Sequence, residues 1–240
     1  MRSAQIKRGL FGIATLLLIA STSYLLGWSD YLTVKNIETT GTASQSIINR
    51  ELAKNNLTLE IDMKLARVDL RAIERVCGDL EWLASANVKR NWLNRSISIE
   101  VVEKIAVAKA ISSSNEIVNF DNQGNLFVPT SAIQLAQSLK LPLVTSKSND
   151  QNQLSAAAKF LQDLPDESLP LIDDLIGISI ADSGFIIMQT KVANREVVIN
   201  WGEPAEIPQK SRVLQALIDL PENKKAKRFD LSLPESPVVS

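Results

Sequence analysis

Residues 83–103 read LASANVKRNWLNRSISIEVVE, and the period of this stretch decides the fold. In its first half Ala84, Ala86 and Val88 alternate with Ser85, Asn87 and Lys89; in its second, Ile97, Ile99 and Val101 alternate with Ser98, Glu100 and Val102. Successive side chains of a strand point to opposite faces, so this period of two predicts two strands. The link Leu93-Asn94-Arg95 is short enough to join them as a hairpin. One face is apolar and the other polar, the pattern of an antiparallel sheet covered by helices on one side.

The covering helices stand upstream. Ser44 is placed to cap a helix running to about Asn55, with Ile48 and Leu52 on its buried face. Asp69 is placed to cap a second, where Leu70, Ile73, Val76 and Cys77 fall at helical spacing and Gly78 stops the run. Before both, LTVKNIETTG (32–41) alternates loosely and ends in a glycine, a strand and a turn. Residues 32–103 thus read β-α-α-β-β. Residues 104–240 read as a second, β-rich α+β domain. Its Asp121-Asn122-Gln123-Gly124 is a turn, 132–140 and 153–163 are helical, GISIADSGFIIMQT and REVVINWG are strands, and Pro208 opens a helix. RFDLSL (228–233) is a last strand expected to bury Phe229, Leu231 and Leu233 on one face.

Further upstream, residues 10–28 carry no charge. As a helix they extend about 28 Å at ~1.5 Å per residue, close to the hydrocarbon thickness of a bilayer. Ala20-Ser21-Thr22-Ser23 imitates a signal-peptide cleavage site, but Tyr24, Leu25, Leu26 and Trp28 prolong the apolar run. Tyr24 and Trp28 suit the headgroup belt, and Arg2, Lys7 and Arg8 precede the run with no acid before Asp30. The expectation is a single transmembrane helix over 10–28 in the lipid bilayer. It would have a cytoplasmic tail at 1–9 and the bulk of the chain outside.

Composition narrows the function. Net charge is −1, so no global field favours nucleic acid. The run Lys224-Lys225-Ala226-Lys227-Arg228 reads as a solvated turn before a strand. A single cysteine, Cys77, excludes an internal disulfide, and the absence of histidine removes the Ser-His-Asp and Cys-His arrangements and the usual zinc sets. Asp173-Asp174 is the most visible acid pair, but adjacent acids diverge on a helix or strand. Asp and Glu are plentiful, so carboxylate pairs remain possible in principle, but no spacing singles one out.

The order of these parts resembles the FtsQ/DivIB family of bacterial cell-division proteins, with residues 32–103 resembling its POTRA domain. The likeness is carried by VKNIETTG, through Val34, Ile37 and Gly41, and by the stretch holding Trp82, Ala86, Val88, Arg90, Trp92, Asn94, Ile97, Ile99, Glu103, Val107 and Ala108. Further on it is carried by Val118, Asp121, Gly124 and Phe127, by Gly202 and Lys210, and by RFDLSLP. Leu93 and Ile105 stand where the family often has proline. The resemblance implies a non-enzymatic, single-pass inner-membrane scaffold at the division septum, with no catalytic residue, no cofactor, no metal and no small-molecule substrate. It would hold FtsB/FtsL-type bitopic proteins and regulate septal peptidoglycan synthesis through them. A POTRA-type chaperone for exported polypeptides and a membrane-anchored envelope enzyme stand as alternatives. On the scaffold reading the partner docks by strand addition to a C-terminal edge formed by Arg228, Phe229, Asp230, Leu231, Ser232, Leu233, Val238 and Val239. Pro234 and Pro237 beside it suit an edge, since proline donates no N–H.

Overall fold

Helix α1, Arg2–Gly27, takes in the basic residues Arg2, Lys7 and Arg8 and the uncharged run from Leu10 as far as Gly27. The computed structural model describes residues 2–27 and 30–240, and within α1 it describes the side chains of 11–24, all exposed. Among the described residues no helix is long and apolar enough to cross a membrane. This overturns the transmembrane helix expected over 10–28, and with it the single-pass fold class; the bilayer contact and the inside–outside topology expected from it are left without support. The apolar run of α1 is interrupted by Thr15 and by Ser21, Thr22 and Ser23. The Thr15 and Thr22 hydroxyls turn back to donate to the Phe11 and Leu18 carbonyls. Trp28, expected at the headgroup belt, lies outside the described residues. What stands is an α+β chain.

The chain divides into two units, one ending at Glu103 and one formed by Lys104–Ser240. The first carries β1 (Asn36–Thr40), α2 (Gln45–Lys54), α3 (Leu70–Gly78), β2 (Leu83–Asn91) and β3 (Ser96–Glu103). Strands β2 and β3 form the antiparallel hairpin, with Val88 opposite Ile99 and Asn91 opposite Ser96. The Asn91 side chain closes its tip by accepting from the Leu93 and Asn94 N–H groups, each at 3.0 Å. β1 pairs in parallel with β3, so the sheet order is β1-β3-β2 and the sheet is mixed, not antiparallel throughout. The cause is the crossover: the chain leaves β1, passes through two helices, and only the second arm of the hairpin runs the same way as β1. Ile48, Leu52, Ile73 and Cys77 from the helices are buried, as are Val88, Ile97, Ile99 and Val101 of the sheet. Burial pushes the Cys77 thiol up, as suits a small hydrophobe in the core.

Two readings of this unit change. A bulge between Leu83 and Ser85 puts Leu83 into the core and leaves Ala84 exposed, against the simple alternation. Arg90 and Glu103, which the reading of two paired strands brings near each other as an exposed ion pair, lie at opposite ends of the hairpin, opposite Ile97 and Leu83. Arg90 instead donates to the Val68 carbonyl and lies 4.9 Å above the Trp92 ring. Gly41 follows β1 with φ +87°, and a Cβ there would fall 1.7 Å from the Val101 carbonyl oxygen, so only glycine fits.

The second unit opens with the antiparallel strands β4 (Ala108–Ile111), β5 (Ile117–Phe120) and β6 (Leu126–Phe127). Asp121 makes the turn between β5 and β6: its carboxylate accepts from the Gln123 and Asn125 N–H groups, both at 2.9 Å. Then come α4 (Ala132–Ser138), β7 (Val144–Ser146), α5 (Gln151–Asp163), α6 (Leu169–Asp173), β8 (Leu175–Ile180), β9 (Ile186–Val192) and β10 (Arg195–Gly202). The chain closes with α7 (Ile207–Asp219), β11 (Arg228–Asp230) and β12 (Val238–Val239). Ala193 and Asn194, both at positive φ, form the tight turn from β9 to β10. The larger sheet has the order β12-β11-β10-β9-β8-β7. Leu154, Ala158 and Phe160 of α5 and Leu214 of α7 share its core with Ile178, Met188, Ile199 and Trp201.

Candidate functional site: an open sheet edge

The six-stranded sheet has two edges, and they differ. Beside β7 the chain is engaged by β4, through a parallel bridge from Lys109 to Leu143 and a 2.8 Å bond from the Lys109 N–H to the Pro142 carbonyl. Beside β12 no further strand is paired among the described residues. The open edge is therefore the C-terminal one.

Its foundation is β11, which lies parallel to β10 with Ile199 opposite Phe229 and Asn200 opposite Asp230. Phe229 and Leu231 are fully buried. The Leu231 N–H donates to the Asn200 carbonyl at 2.7 Å, holding the chain to β10 for one residue beyond the strand. There the Asp230 carboxylate takes over. One oxygen accepts from the Ser232 N–H at 3.0 Å and its hydroxyl at 2.6 Å, and the other from the Asn200 amide at 2.9 Å. Desolvation alone would raise the Asp230 pKa, but the bonds from Ser232 and Asn200 and the Arg228 charge hold it below its ordinary value. This aspartate turn bends the chain away from the sheet, and Pro234 follows.

The chain returns as β12, antiparallel to β11, with Phe229 opposite Val239 and Asp230 opposite Val238. Arg228 and Ser240 exchange N–H to carbonyl bonds of 2.9 and 3.1 Å. Bonded and non-bonded pairs alternate in an antiparallel ladder, so the N–H and C=O of Val239 turn to the open side. Val238 is 63% exposed, and Val239 is half-buried against the core. The edge is a narrow one: Pro237 offers no N–H.

A buried cation props the same corner. Lys210, 3% exposed, donates to the Trp201 and Glu203 carbonyls at 2.7 and 2.8 Å. Burial pushes its pKa down, and attraction to Glu206 and Glu203 partly restores it. Trp201 meets Phe160 edge to face at 5.2 Å. Gly202, at φ +66°, lies so close to the bend that a Cβ would come within 2.7 Å of Ser232 Cα.

The residues expected at a partner edge are thus gathered in one place but not in one role. The expected strand 228–233 ends at Asp230, and Leu233, expected in the core, is 68% exposed, because the aspartate turn breaks the alternation. Phe229 and Leu231 belong to the core and offer a partner no side-chain surface. Arg228, Leu233 and Val238 carry the exposed surface. Asn200, Gly202 and Lys210 shape the corner; Gly202 and Lys210 stand out in the sequence only through the family resemblance. Among the described residues no group of three or more acids or thiols is placed to hold a metal.

Over 236 residues, 95% of this chain and 84% of the relative, the sequence is 24% identical to the cell division protein FtsQ of Streptomyces bingchenggensis (strain BCW-1). No family model matches the chain. The likeness is weak in identity and long in extent, and supports an FtsQ/DivIB-like relationship without showing partners.

Proposed function

We propose that this chain is a non-enzymatic scaffold of the bacterial division machinery, acting at the septum and holding division proteins of the FtsB and FtsL type through the open β12 edge. Residues 32–103 act as a POTRA-like unit, and 104–240 as the domain that carries the edge. Through these partners the scaffold regulates septal peptidoglycan synthesis. The likeness to a cell division protein along nearly the whole chain carries the reading. The free edge beside Val238 and Val239 supports it, because unpaired strand edges recruit strands.

Depletion should give filamentous cells, and affinity purification of the full chain should recover division proteins. Deleting Ser236–Ser240 with Arg228–Leu233 intact should abolish that recovery while the protein still folds. Normal division after depletion would sink the scaffold reading. Undiminished recovery with the deleted chain would move the contact off this edge.

A further inference from the structure

At the end of the first unit where the β2–β3 hairpin turns, three separate segments come together. β1 starts beside β3 and runs parallel to it, with Asn36 opposite Ser96, so the residues before β1 stand next to the hairpin tip. The Lys35 N–H donates to the Arg95 carbonyl at 2.7 Å, and the Arg95 guanidinium donates to the Tyr31 carbonyl at 3.3 Å. The loop between α2 and α3 joins them: the Val34 N–H donates to the Met63 carbonyl at 2.9 Å, and the Asp62 N–H to the Val34 carbonyl at 2.8 Å. Each segment exposes apolar side chains here. Tyr31, Ile61, Trp92 and Leu93 are all exposed, Tyr31 at 79% and Leu93 at 94%. Segments 30–35, 60–67 and 90–95 carry five basic residues, Lys35, Lys64, Arg67, Arg90 and Arg95, against Asp30, Glu60 and Asp62. Asp62 is engaged by the Lys35 ammonium, and the Arg90 guanidinium lies over the Trp92 ring.

An exposed apolar group of this kind, rimmed by charge, marks an interaction surface. Its chemistry names the surface. Tyrosine and tryptophan rings settle at the level of lipid headgroups, leucine and isoleucine enter the acyl boundary, and lysine and arginine are drawn to anionic headgroups. The four side chains are tips carried by separate turns, not a strand edge or one helix face, which suits a soft layer that closes around each tip. We propose that this end of the first unit docks on an anionic lipid headgroup layer, with Trp92 and Leu93 inserting at the hairpin tip and Arg67 and Arg95 held at headgroup level. The contact is peripheral and needs no spanning helix. It lies on the unit that does not carry β12, so it is independent of strand docking there, and its failure leaves the scaffold reading as it stands.

The test uses the full chain and a polarity-sensitive fluorophore on Leu93→Cys at the hairpin tip or, as a control, on Ser85→Cys, exposed near its other end. Cys77 is fully buried and escapes labelling in the folded chain. Vesicles are phosphatidylcholine alone or phosphatidylcholine with phosphatidylglycerol, with or without brominated acyl chains. The label at 93 should shift to the blue and be quenched by bromine on the anionic vesicles, and the label at 85 should do neither. Arg67→Gln and Arg95→Gln should each weaken the binding read at 93 by about fivefold at low salt. Should either variant misfold, the salt dependence of the otherwise unaltered labelled chain gives the same information, since screening must weaken the contact. A chain that reaches the vesicles while the label at 93 stays in water overturns the proposal and leaves these tips to a protein partner. Equal responses at 93 and 85, equal binding to neutral and anionic vesicles, or no binding at all overturn it as well.

Discussion

Single residues at the C-terminal corner carry more than their share of its geometry. Gly202→Ala sets a methyl group against Ser232 on a backbone at φ +66°. It should cost about 1–3 kcal/mol, read as a lower urea midpoint with an unchanged slope. Asp230 adds a pH dependence. Its folded pKa is depressed, so its contribution is complete above the unfolded value of ~3.9 and disappears as pH falls through the folded one. Asp230→Asn should therefore be less stable than the native chain by about 1–2 kcal/mol at pH 7, with the gap closing below about pH 4. A gap that stays constant from neutral to acid pH would show that the carboxylate bonds to Ser232 and Asn200 do not hold the bend.

At the scale of elements, two helices with similar start signals differ in how they are held. Asp69 caps α3, its carboxylate accepting from the Ala72 N–H at 3.0 Å. Ser44 precedes α2 but its side chain makes no cap bond; its own N–H donates to the Thr42 hydroxyl. Asp69→Ala should cost about 1 kcal/mol, whereas Ser44→Ala should stay within about 0.5 kcal/mol of the native chain. Thermal unfolding of the two variants side by side checks both. Equal losses would mean that Ser44 caps its helix in solution after all. The hairpin shows the limit of period reading. A single extra residue at the bulge exchanges Leu83 and Ala84 between faces, and no residue type announces it.

For the whole molecule, the division after Glu103 has an experimental consequence. Residues 104–107 belong to no strand or helix, and Ile105 is largely exposed. Limited proteolysis should cut there first and release a resistant fragment beginning by Ala108, because β4 is tied into the second unit by its pairing with β5. First cleavage inside the β9–β10 hairpin instead would place the weakest backbone within the second unit. The sheets also differ in how they protect themselves. The first unit's sheet ends on β1 and β2, while the six-stranded sheet of the second unit ends on one side on the two-residue β12, kept short beside two prolines. Short, proline-flanked edges restrain indiscriminate pairing while leaving room for a chosen partner.

Local chemistry was legible in the sequence wherever it acts between near neighbours. The period-two runs of β2 and β3, the Asp69 cap, the Asp121 turn and the apolar faces of α2 and α3 all depend on residues a few positions apart. The absence of histidine and the single cysteine likewise narrowed the chemistry before any coordinates. Tertiary structure alone decided what depends on distant partners. It made β1 parallel to β3, set the bulge at Leu83, and sent Arg90 to the Val68 carbonyl and away from Glu103. It ended β11 at Asp230 because Asn200, thirty positions away, anchors the same carboxylate that catches Ser232. It also brought Glu203, Glu206 and Glu235 around one cavity. An uncharged apolar run states that a segment can form a helix, and here it does; among the described residues no helix is long and apolar enough to cross a membrane.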